Sequence, residues 1–218
     1  MTSAFSSHAK LEVCNSRTVE SLGFLDEKVS DLDWRNCFEV GVGLDLELEH
    51  SGAFLELSSF VGAPSGCGAT ADYDFKDGSI IRYSQHENRL DKDMSVSLEL
   101  GYEFSLGKAV LSLSVCCEYN NIKHSAWSGY LQEPKDGFSW TGEEGKQRVT
   151  GNGISYEQQI ILPFAALGAG YLFSNSMSAG IAVGYCPYVY ADCLDSHYAR
   201  AKQFYDMVRG GYGLRLNL

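Results

Sequence analysis

Two short stretches of the chain hold titratable side chains at a one-residue spacing. In ADYDF, Asp72 and Asp74 flank a tyrosine; in DSHYAR, Asp195 and His197 flank a serine. Residues i and i+2 of an extended backbone point to the same face. An imidazole oriented by one carboxylate and faced by two others is suited to activating water. The histidine takes the proton, its carboxylate holds the ring, and the facing carboxylates help to hold the water. That chemistry needs no metal and no covalent nucleophile. Aspartates at this spacing are also common in solvated loops, so spacing alone leaves both readings open. His8, His50, His86 and His124 read as exposed or rim residues, His86 in YSQHEN being the only one of them in a candidate active segment. Gly-rich phosphate loops, basic stripes and a nucleophile elbow are all absent.

The segments around these residues alternate with period two. In FEVGVGLDLEL, Phe38, Val40, Val42, Leu44, Leu46 and Leu48 share one face, against Glu39, Gly41, Gly43, Asp45 and Glu47. MSVSLELGYEF and LSLSVCCEY repeat the pattern, as do the segments from Ile154 to Phe164 and from Met177 to Tyr185. With AFLELSSFVG, a weaker KLEVCNS and a last strand from Val208 to Leu218, the count is about eight strands. The polar faces carry Ser, Gly, Glu and Asp with few lysines, and several segments exceed the usual globular length of about five or six residues. Strands of about 9–11 residues with apolar-out, polar-in faces suit a transmembrane barrel. Connections near Ser51, Leu106–Lys108 and Asn175 look short, whereas 62–90, 121–152 and 192–203 look like long loops. Short turns on one rim and long loops on the other complete the expectation of an all-β, antiparallel transmembrane barrel. A soluble sandwich or barrel with its apolar faces inward is the alternative.

The chain of 218 residues reads as one domain over 1–218. Its formal charge of −11 argues against a nucleic-acid partner and favours a cationic one. Seven scattered cysteines without a CxxC pair support neither a zinc ribbon nor a thioredoxin motif, and allow a disulfide or two in an oxidising compartment. The start, MTSAFSSHAK, has no apolar signal region, so the chain is either a mature form with an added Met1 or cytosolic.

Several of these stretches, taken in order, resemble the omptins, outer-membrane aspartate-type endoproteases of Gram-negative bacteria built as β-barrels. KVSDLDW is similar to the omptin segment entering the second strand, ADYDF to its paired-aspartate loop, and YSQHENRL to its S-x-H stretch. ISYEQQIILPFAALGAGY and DSHYAR are similar to two later omptin segments, and the order is kept throughout. The resemblance implies an outer-membrane location, with membrane lipid around the barrel, and a catalytic set of Asp72, Asp74, Asp195 and His197. It also implies cleavage of peptides next to basic residues, with Glu20 as the pocket glutamate. The pocket's second acid falls on Cys193, with Asp192 beside it as a stand-in. Positions that bind lipopolysaccharide in the family fall on Gln159 and near Tyr119 and Asn121, all uncharged, so neither that activation nor any cofactor is expected. Omptins have ten strands, against about eight here. A catalytically silent outer-membrane barrel with an adhesive or structural role is the competing function.

Overall fold

The computed structural model describes residues 3–25, 27–66, 68–134, 139–174 and 177–217. Its strands are β1 (Ser3–Phe24), β2 (Glu27–His50), β3 (Ala53–Gly62), β4 (Gly68–Lys76), β5 (Ser79–Leu106) and β6 (Ala109–Gln132). They continue as β7 (Gln147–Ser174), β8 (Met177–Cys186), β9 (Tyr190–His197), β10 (Lys202–Arg209) and β11 (Gly213–Asn217). One turn of 3-10 helix, Tyr198–Arg200, joins β9 to β10.

These segments make eight long antiparallel arms. β2 and β5 both pair with β3 along one half and with β4 along the other, so β3 and β4 are one interrupted arm. β8 and β9 likewise share β7, and β11 and β10 continue against them. Among the described residues the ladder ends at β1 on one side and at β10/β11 on the other. The sheet curls as a barrel wall: Arg215 on β11 donates to Glu99 on β5 at 2.7 Å, bridging arms that are far apart in the ladder. Close packing inside is eased by glycine, since a Cβ on Gly101 would lie 2.3 Å from the ring of Phe54.

The alternation places the faces as a membrane barrel requires. Val42, Leu98, Val115 and Leu167 are 61%, 50%, 59% and 66% exposed, while Glu39 on the opposite face is 1% exposed. Apolar side chains therefore point out and acids, serines and glycines point in, the reverse of a soluble barrel. This outward belt covers the lower halves of the arms, opposite to the end that carries β4 and β9.

Three stretches expected as long loops are mostly strand. The 62–90 region holds β4 and the start of β5, joined by a tight turn in which Asp77 and Gly78 have φ of 51° and 76°. β6 runs on to Gln132, and 192–203 holds most of β9 and the start of β10. The strands continue past the lipid belt, where outward side chains meet water and apolar alternation is no longer required. The expected last strand is divided: Gly210 and Gly211, with φ of 139° and 86°, separate β10 from β11. Asn175 and Leu218 lie outside the described residues. Cys37 is disulfide-bonded, whereas Cys14, Cys116, Cys117, Cys186 and Cys193 are free thiols.

Candidate active site

The extended upper arms bring the two titratable pairs together. On β4, Asp72 lies between Leu32 of β2 and Ser84 of β5, and Asp74 between Ser30 and Arg82. On β9, Asp195 lies beside Tyr156 and His197 beside Ile154, both of β7. The imidazole Nε2 of His197 donates to Asp195 Oδ2 at 2.6 Å. A carboxylate only accepts, so this bond sets the tautomer and leaves Nδ1 of the neutral ring free to take a proton.

His197 stands on the wall between two cavities. One, of about 200 Å³, is lined by Glu20, Asp74, Asp195, His197, Phe204 and Asp206, among others. The other, of about 210 Å³, is lined by Asp72, Ser84, His86, His197 and Arg200, among others. Asp72 and Asp195 each keep one buried carboxylate oxygen, Oδ1, without a hydrogen-bond partner. Buried, open acceptors beside a free imidazole nitrogen are what a bound water would satisfy.

The charges are tuned by burial and by one another. Burial, then the neighbouring charge of Asp74, pushes the Asp72 carboxyl up to about 7. Burial, then Asp195 and Asp206, does the same to Glu20, also to about 7. For His197 burial works downward, but the Asp195 hydrogen bond and the charges of Asp195, Asp72 and Asp74 win, leaving its pKa above the ordinary histidine value. Asp74 faces two guanidiniums, Arg200 at 3.4 Å and Arg82 at 3.9 Å.

Two histidines expected at the rim are buried supports. His86, 6% exposed, donates from Nδ1 to the Ser128 carbonyl at 2.7 Å and accepts from Ser84 Oγ at 2.9 Å through Nε2. Burial lowers its pKa, with the Ser128 carbonyl working the other way, so the ring is neutral and both its nitrogens are engaged. A bulge in β6 presents that carbonyl, with Ser128 at φ 47° and Gly129 at φ 129°. His124 is fully buried and stacks on Trp34 at 5.3 Å, and Trp34 stacks on Tyr156 at 6.2 Å. These rings pack beneath the site with Leu32, Ile154 and Cys193.

The expected substrate acids are placed differently from one another. Glu20 on β1 lines the first cavity. Asp192 does not, because the alternation of β9 turns it to the opposite face from Asp195, where it pairs with Arg209 at 2.6 Å. Cys193 points inward but is buried against the aromatic cluster and lines neither cavity. Asp206, which sequence reasoning missed, does line the first cavity. A single aspartate in FYDMVR gives no local signal; only the ladder that pairs it with Cys193 places it there. Tyr119, Asn121 and Gln159 cluster too: Asn121 Nδ2 donates to the Tyr119 hydroxyl at 3.2 Å, and that hydroxyl to Gln159 at 3.3 Å.

An outward apolar belt and an inward polar lumen define an outer-membrane barrel, with an Asp–His pair and two aspartates gathered at its upper end. The sequence matches the Omptin family over residues 3–216, and the chain belongs to that family of Gram-negative outer-membrane proteins. The fold is also that of the outer membrane protease OmpT from Escherichia coli, with a TM-score of 0.83 at 18% identity, covering 97% of this chain and 75% of that one. No curated protein sequence matches it.

Proposed function

We propose that the protein is an endopeptidase that cleaves peptides next to basic residues with a water activated by His197. The observation that carries this reading is the 2.6 Å His197–Asp195 bond on the wall between two acid-lined cavities. Asp195 orients the ring, and Nδ1 accepts the proton as the water attacks the scissile carbonyl. His197 then carries a positive charge that Asp195 stabilises, and it passes the proton to the leaving amine as the scissile carbon–nitrogen bond breaks. Asp72 and Asp74 hold the water on the opposite side, and Asp72, buried with a carboxyl near neutrality, can share a proton with the developing oxyanion. The acidic lining of the first cavity suits a cationic side chain, in keeping with the chain's formal charge of −11. No cofactor enters this scheme, and the uncharged Tyr119, Asn121 and Gln159 give lipopolysaccharide no ionic hold at their position.

The test is cleavage of a quenched fluorescent peptide with an Arg-Arg core by detergent-refolded protein, beside His197→Ala and Asp72→Ala. Cleavage by the parent, reduced by about a hundredfold or more in both variants, is expected. Folded parent protein that leaves the peptide intact, with and without lipopolysaccharide, would sink the reading in favour of a silent barrel.

A further inference from the structure

The position at which the family resemblance seeks a second pocket acid carries Cys193, whose thiol is buried, and its neighbour Asp192 faces away. An acid nevertheless reaches the same level of the wall from the next arm. Asp206 is the ladder partner of Cys193, so its side chain leaves β10 on the inner face, as does that of Phe204, the partner of Asp195. Asp206 and Glu20 approach from the two ends of the ladder, β10 and β1, and line one cavity.

The rest of that cavity is shaped for a long cationic side chain. Leu22, Val29, Leu32 and Phe204 supply apolar walls for a methylene stem. Asp195, only 6% exposed, lines the same cavity and keeps Oδ1 without a partner, and Glu20 keeps Oε2 without one. Arg200, the guanidinium among the lining residues, is drawn to Asp74 at 3.4 Å, and His197 is engaged by Asp195, so neither is paired with Glu20 or Asp206. Two carboxylates on facing edges match the two-sided donor fork of a guanidinium.

We infer that Asp206, acting with Glu20, is the residue that selects a basic substrate side chain, the acid having moved one strand over from position 193. This deepens the endopeptidase reading and rests on it for its role in cleavage.

Two readouts test it. The first is calorimetric binding of agmatine, a bare guanidinium probe, to the detergent-refolded barrel, which does not depend on cleavage. The parent should bind, and Asp206→Asn should bind about tenfold or more weakly, the loss of one charge-assisted contact. Asp206→Glu should restore much of the affinity, and Asp192→Asn should change nothing. The second compares kcat/KM for peptides that differ only in Arg against its neutral isostere citrulline before the scissile bond. Asp206→Asn should lower the ratio of the Arg rate to the citrulline rate by a similar factor, with its folding checked separately by circular dichroism. A parent that does not bind agmatine, or an Asp206→Asn variant that binds it equally well, would overturn the inference. So would an Asp206→Asn variant that keeps the Arg-to-citrulline ratio of a parent that cleaves, and in that case the endopeptidase reading would stand.

Discussion

At the residue scale, the site rests on charges held close together against their own repulsion. The His197 imidazole is buried, which by itself would depress its pKa; the hydrogen bond and charge of Asp195, with the charges of Asp72 and Asp74, together more than offset this. Removing the Asp195 charge while keeping its shape should therefore shift the balance towards burial. In Asp195→Asn, the pKa of His197 followed by NMR titration should fall below its parent value; an unchanged titration would show that Asp195 does not tune the ring. Asp72 has the opposite economy. Its folded-state pKa of about 7 lies above the value of 3.8 for a free carboxyl, so the folded protein binds this proton more tightly than the unfolded chain. The stability associated with it is present below about pH 4, declines as pH rises, and is fully lost above about pH 7. Asp72→Asn should accordingly abolish cleavage yet raise stability by a few kcal/mol, on the order of the shift itself, at pH 8 but not at pH 4. Urea unfolding at the two pH values reads this directly.

At the element scale, what places the site is the continuation of β2, β5, β6 and β7 beyond the lipid belt, carrying β4 and β9 between them. The paired aspartates are then on a hydrogen-bonded strand rather than on a free loop, which fixes their direction. The bulge in β6 shows how closely this upper ladder is fitted. A Cβ on Gly129 would lie 2.0 Å from the Gln85 carbonyl oxygen, at a φ of 129° that few other residues adopt. Gly129→Ala should displace the Ser128 carbonyl from His86, cost about 1–3 kcal/mol in unfolding free energy and lower kcat/KM without touching a catalytic group. Parent-like stability of that variant would mean the bulge is adaptable.

At the scale of the whole molecule, the outward belt commits the barrel to lipid. Leu98 is half exposed on the outer face, between Leu57 of β3 and Cys117 of β6. Leu98→Arg should cost about 2–4 kcal/mol of stability in lipid bilayers if it lies near the midplane, and should cut the yield of refolding into vesicles. The same substitution at an exposed position above the belt, such as Glu87, should leave that yield unchanged. The curl of the arms also has a local consequence. Glu20 and Asp206 lie far apart in the ladder and meet only because the wall bends round to bring β1 towards β10.

Period-two alternation is a local property, so the sequence alone determined about eight arms, each with an apolar and a polar face. That the apolar faces point outward was decided by the fold, where Val42, Leu98, Val115 and Leu167 are exposed. The spacing of Asp72 with Asp74, and of Asp195 with His197, determined that each pair would share a face once extended. The same reasoning lost the upper strands, because above the lipid the outward positions need not be apolar and the alternation fades. It also placed His86 and His124 at the rim, since nothing local distinguishes a buried, hydrogen-bonded or stacked imidazole from an exposed one. Register and curl decided the rest. A one-residue step along β9 reverses a side chain's direction, which removed Asp192 from the cavity, and pairing across to β10 brought in Asp206. Such contacts depend on which residues of distant strands are set side by side, and only the tertiary structure fixes that.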